Sequence, residues 1–130
     1  MGTQILDDGW VWHPVGNPVT WSLERWLSEN VWESEDGPSR RDICARAYYW
    51  DKALIWLDEK RVAIGGIGDD EQEIIAGARI FDITRVGDPG PQWRHDWPWA
   101  LELTAFPGPT GEFFSDGTSL YSSDARGLSR

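Results

Sequence analysis

From residue 45 onward, apolar residues come only in short runs, each closed by turn-forming residues, and that punctuation leaves no room for a long helix. Residues 45–50 and 53–57 are rich in aromatic and branched side chains; Asp58, Glu59 and Lys60 make a polar turn, and residues 62–67 resume the apolar run. This is the pattern of a hairpin. Gly65, Gly66 and Gly68 let the backbone bend, residues 69–73 form an acidic loop, and residues 78–83 read as a third strand. A loop with three prolines spans residues 87–98. Strands are then expected over 100–106, 112–115 and 119–123, separated by a Pro-Gly-Pro-Thr-Gly turn and an Asp116-Gly117 turn. The fold class that follows is α+β and β-dominated, an antiparallel β-meander of hairpin units with one N-terminal helix packed on the sheet.

The helix is expected before this β-part. Residues 9–15 alternate Trp10, Val11 and Trp12 as a short edge strand that Pro14 and Pro18 end. Asn17 is placed to cap a helix over residues 18–31 with Pro18 at its first position, burying Leu23, Trp26 and Leu27. Residues 33–42 are polar apart from one Gly and one Pro, which reads as a solvated loop or hinge. Residues 1–130 thus form a single domain, with an N-terminal strand and helix over 1–38 and the antiparallel part over 39–130. A short meander leaves open sheet edges that the helix, a second copy or a partner must cover, and the helix is the first choice.

The β-part contains an internal echo. Ile55-Trp56-Leu57-Asp58 and the strand from Val62 to Gly66 recur 58 residues later as Phe113-Phe114-Ser115-Asp116 and a strand from Leu120 to Asp124. Two apolar residues, a turn opened by Asp and an apolar return strand into small residues keep one register. With Ile80-Phe81-Asp82-Ile83-Thr84 standing as an aromatic-Asp strand, residues 45–130 resemble WD-repeat β-propeller blades. That resemblance implies stacked hairpin units, and two units do not close a propeller of four or more blades.

Reaction chemistry finds little support. Cys44, the only cysteine, forms no intramolecular disulfide and reads as a small buried filler. His13 and His95 lack a second His or Cys at ligand spacing, and no Gly-x-Ser-x-Gly elbow is present, so neither a zinc hydrolase nor a hydrolytic triad is expected. Gly65-Gly66-Ile67-Gly68 lacks the Lys-Ser or Lys-Thr ending of a phosphate cradle. Asp69, Asp70, Glu71 and Glu73 offer oxygen ligands without the spacing of an EF-hand, and suit pairing with Arg or Lys of a basic partner better than calcium. No cofactor is expected.

Ten tryptophans are the strongest compositional anomaly. Trp10, Trp12, Trp21, Trp26, Trp32, Trp50 and Trp56 lie in periodic segments and read as core. Trp93, Trp97 and Trp99 sit in or beside the Pro-rich loop with Arg94, His95 and Asp96, and exposed Trp and Arg are the residue types of binding hot spots. Twelve basic against 22 acidic side chains give a net charge of −10, which opposes nucleic-acid phosphates and favours a basic protein. No apolar run reaches membrane-spanning length, and the N-terminal residues lack a secretory pattern, so cytoplasmic residence is the expectation. The leading expectation is a non-enzymatic, small acidic inhibitor, such as an immunity protein or antitoxin, that blocks a basic toxin or enzyme. Its binding residues would be Trp93, Arg94, His95, Asp96 and Trp97 with Asp69, Asp70, Glu71 and Glu73. The alternative is a propeller-like structural or scaffold unit that completes its sheet by association, including with copies of itself. A carbohydrate-binding module or enzyme comes third.

Overall fold

Three antiparallel sheets stack in chain order in the computed structural model, which describes residues 3–12, 15–47, 52–68, 73–88 and 98–130. The N-terminal sheet pairs β1 (Gln4–Trp12) with β2 (Val15–Ser22), and two short segments, β3 (Arg41–Asp42) and β4 (Arg46–Ala47), pair with the other side of β2. The middle sheet runs β5 (Leu54–Trp56), β6 (Arg61–Ile67), β7 (Ile75–Val86) and β8 (Ala100–Pro107), each strand beside its chain neighbour. The C-terminal sheet follows the same order with three strands, β9 (Glu112–Ser115), β10 (Leu120–Asp124) and β11 (Gly127–Ser129). The chain is therefore α+β and β-dominated, as its turn punctuation predicts.

Strand alternation builds a core on each face of the middle sheet. Val62 and Ile64 of β6, with Phe81 and Ile83 of β7, face the N-terminal sheet and pack on Ile43, Cys44 and Leu6. Ala63, Ala78 and Ile80 face the other way, onto Phe113 and Leu120 of the C-terminal sheet. Val62, Ala63 and Ile64 are all fully buried, so β6 is covered on both faces. Cys44 is the small buried filler that its neighbours suggest.

A partly buried ion pair within the N-terminal sheet also reaches the middle sheet. Arg46, fully buried, donates from Nη2 to both carboxylate oxygens of Asp8 at 3.1 Å and from Nη1 to the Gly65 carbonyl at 3.3 Å. Breaking such a pair from one side typically costs about 3–5 kcal/mol, because the remaining charge stays desolvated. Nothing in the run around Arg46 signals this role, since its partners stand 38 and 19 residues away.

The helix is shorter than the pattern over 18–31 predicts. Residues 18–22 belong to β2, paired with β1, and only α1 (Leu23–Ser28) is helical there. Pro18 is accommodated inside a strand because of where its missing donor falls. Its carbonyl accepts from Ile43 N at 2.9 Å, so its nitrogen faces the same side, where β3 and β4 are interrupted. The cap is Ser22 rather than Asn17, its hydroxyl accepting from Arg25 N at 3.3 Å. None of Leu23, Trp26 and Leu27 is buried, and Leu27 is 73% exposed. The strand expected over 9–15 begins earlier, at Gln4, and Pro18 does not end the pairing.

The polar run over 33–42 is solvated in part, at Glu35, Asp36 and Pro38, but it is not a plain loop. It opens with α2 (Glu33–Asp36) and closes in β3, and Glu33 and Asp42 are both buried. Glu33 is the hub of this segment. Its carboxylate accepts from Ser39 N at 2.9 Å, Ser39 Oγ at 2.5 Å, Asn30 Nδ2 at 3.1 Å and Arg25 Nε at 3.2 Å. Ser39 Oγ accepts in turn from Ser22 N, which ties the network to the end of β2. Burial pushes the Glu33 carboxyl up, but the Ser39 hydroxyl and amide, Asn30 and Arg25 outweigh it and hold it at about 2. Gly37 is required by space, since a β-carbon there would stand 2.2 Å from the Glu33 carboxyl carbon.

The tryptophans divide differently from their periodicity. Trp21 is buried and meets Trp26 edge to face at 6.2 Å, and Trp56 packs against the first core. Trp32 is exposed, and Trp99, expected in a surface loop, is buried. Among the described residues no helix is long and apolar enough to cross a membrane.

Candidate interaction surface

The two loops singled out by composition adjoin opposite ends of β7. Trp93, Arg94, His95, Asp96 and Trp97 lie outside the described residues, as do Asp69, Asp70 and Glu71; Glu73 is described and exposed. β7 has 12 residues, about 36 Å at ~3.3 Å per residue if straight, so the roots of the two loops are far apart. The root of the Pro-rich loop is held by Gly87 N donating to Trp99 O at 2.9 Å and Asp42 N donating to Pro98 O at 3.3 Å. Trp99 forms a parallel bridge with Asp42 and is thereby fixed inside the fold. Among the described residues no group of His, Cys, Asp or Glu is arranged to hold a metal.

A different surface emerges from the two hairpins of the echo. In the first, Asp58 Oδ1 accepts from Lys60 N and Arg61 N, both at 2.8 Å. In the second, Asp116 Oδ1 accepts from Thr118 N at 2.9 Å and Ser119 N at 2.8 Å. The remaining carboxylate oxygen accepts from Arg61 Nε in one and from the Tyr121 hydroxyl in the other. Asp opens both turns because its side chain satisfies two backbone donors that the strands leave unpaired. The Thr118 and Ser119 amides, with the Tyr121 hydroxyl, hold the Asp116 carboxyl at about 2. Burial raises that of Asp58, but the Arg61 side chain and the two amides lower it overall.

The strands of the echo correspond with a one-residue correction. Val62 corresponds to Leu120, an offset of 120 − 62 = 58, but the partner of Ile64 is Leu54 whereas the partner of Ser122 is Phe113, an offset of 113 − 54 = 59. Phe113 therefore stands for Leu54, and Phe114 for Ile55. With that register the C-terminal sheet repeats the middle one. Leu54 and Val62 face back to the N-terminal sheet, and Phe113 and Leu120 face back to the middle sheet. Ile55 and Ala63 face forward and are covered by the C-terminal sheet. Their counterparts, Phe114 and Tyr121, lie directly opposite each other on the outer face. Leu128, opposite Ser123, joins them on that face. Phe114 is 48% exposed and Leu128 70% exposed, so the outer face carries apolar side chains in water.

Neither loop motif alone points to this face, because it depends on which strand residues turn outward. The echo was the available signal, and its register decides the assignment. Compared with protein-family models, curated proteins and solved structures, the chain matches none of them.

Proposed function

We propose that the chain is a non-enzymatic scaffold unit that assembles by stacking β-sheets, with the outer face of its C-terminal sheet as the contact. The observation that carries this reading is the repeat: the C-terminal sheet presents Phe114 and Tyr121 where the middle sheet presents Ile55 and Ala63 to a packed neighbour. The two Asp-opened turns, with the same pair of backbone donors on each carboxylate, support it. A second copy brings the same face, and two copies meeting through it form a closed twofold pair. The acidic-inhibitor reading rests on the net charge of −10, since eight of its nine binding residues fall outside the described fold.

Sedimentation across a concentration series tests the scaffold reading. The unaltered chain should shift from monomer to dimer as concentration rises, and the double variant Phe114→Glu, Leu128→Glu should stay monomeric while melting at nearly the same temperature. A chain that remains monomeric at several hundred micromolar, or a double variant that dimerises equally well, overturns it.

A further inference from the structure

The two repeated sheets differ in one respect. The middle sheet has four strands and the C-terminal sheet three, and β11 is paired only with β10 among the described residues. Side chains of the described residues do not fill the place beside β11. A cleft of about 990 Å³ lies between the two sheets there, walled by Ala76 and Phe106 on one side and by Ser122, Ser129 and Arg130 on the other. Phe106, opposite Ala78 and on the face turned toward the C-terminal sheet, is 52% exposed inside it.

We propose that this cleft is a strand-addition site, in which an extended segment of a partner polypeptide pairs with the free edge of β11 and lays alternate apolar side chains on Phe106. The pairing supplies backbone hydrogen bonds to an edge that has none on that side among the described residues, and the cleft floor selects the side chains. The middle sheet already shows what fits, because β8 occupies the fourth position there with the sequence Ala-Leu-Glu-Leu-Thr-Ala-Phe-Pro. Its Glu102 accepts from Arg79 at 3.0 Å. Arg79 pairs with Ile64 and Ser129 with Ser122, so Ser129 takes the place of Arg79 in the C-terminal sheet, and Arg130, donating from Nε and Nη2 to Ser119 Oγ, follows it at the cleft wall with Asp124 and Arg126 nearby. The segment is therefore apolar at alternating positions and carries a carboxylate. This edge is distinct from the outer face of the proposed stacking contact, since Phe106 and Phe114 lie on opposite sides of the C-terminal sheet.

The probe is the β8 sequence itself, fused after Arg130 through a flexible linker of about eight Gly and Ser residues, which holds it near the cleft at millimolar effective concentration. The fused chain should melt about 3 °C or more higher than the unfused chain. Hydrogen exchange of the outward-facing amides of residues 127–129 should slow about tenfold or more. The same fusion carrying Phe106→Glu should gain nothing over unfused Phe106→Glu, and a scrambled tail with a central Pro should gain nothing in the unaltered chain. The gain should persist with Phe114→Glu, which separates this site from the stacking face. Insertion into a neighbouring copy's cleft, seen as concentration-dependent size with the same amide protection, supports the site equally. An unchanged melting point with freely exchanging β11 amides, or an equal gain from the scrambled tail or with Phe106→Glu, overturns it.

Discussion

The two ends of the sheet stack are finished in opposite ways. At the N-terminal end, α1, α2 and the segment to Ser39 lie against β1 and β2, and the sequence spends a buried carboxylate, Glu33, on fixing them. At the C-terminal end, Phe114 and Leu128 stand in water with no segment over them among the described residues. Repeat arrays need capped ends to stay soluble, and the cap is the element that departs from the repeat. The helical insert departs from it and the C-terminal sheet does not. On the scaffold reading proposed above, the first end would stop a stack and the second would take a further layer.

The sharpest way to break this comparison uses two adjacent residues. Phe113 fills the second core and Phe114 faces out, so Phe113→Ala should cost about 3–5 kcal/mol and Phe114→Ala less than about 1, read from denaturant melts of the monomer. Equal costs would show that the outer face is covered within one chain. At the other end, Glu33→Gln should destabilise by about 1.5–3 kcal/mol at neutral pH, since a charged acceptor of four hydrogen bonds becomes a neutral amide that also brings donors. The sign of its pH dependence follows from a carboxyl held at about 2 against an ordinary 4.5. The stabilisation is fully present above about 4.5 and is lost as pH falls toward 2. Melts at pH 5 and pH 2.5 should therefore converge between the unaltered chain and Glu33→Gln as the medium becomes acidic, and a constant gap would remove the carboxylate from the account. The smallest effect is expected within the cap itself. Leu27→Ala should change stability by less than about 0.5 kcal/mol, because its side chain is largely in water. A loss of 2 kcal/mol or more would mean that α1 buries a face against something.

Local chemistry made the β-part readable. Asp58 and Asp116 announce their turns through side-chain acceptors two and three residues upstream of the donors, and the limits of β9 follow directly from its flanking Gly and Asp. In the N-terminal part, pairing overrides a local signal. Asn17-Pro18 imitates a helix start, yet Val19, Thr20 and Trp21 are strand formers, and pairing with β1 on one side and β3 on the other decides the outcome. Glu33 was unreadable for a related reason, since a carboxylate reveals its burial only once Arg25, Asn30 and Ser39 converge on it. The candidate surface was half visible. The echo named the hairpins, but the outward face hangs on a one-residue register, and the cleft beside β11 exists only in the difference between a four-stranded and a three-stranded sheet.

β6 carries one further consequence of being covered on both faces. Its side chains toward the N-terminal sheet are Val62 and Ile64, and toward the C-terminal sheet Ala63, with Gly65 next in the alternation. A slip of one residue would turn every side chain to the opposite layer. Two branched side chains would then press into the place Ala63 fills beside Ala78 and Phe113, while the place beside Phe81 would receive only a methyl group. One layer would be overpacked and the other left hollow, and both errors cost free energy. In most half-buried strands a slipped register is penalised by putting apolar groups in water; here, with Val62, Ala63 and Ile64 all buried, the unequal size of the side chains on the two faces does the proofreading.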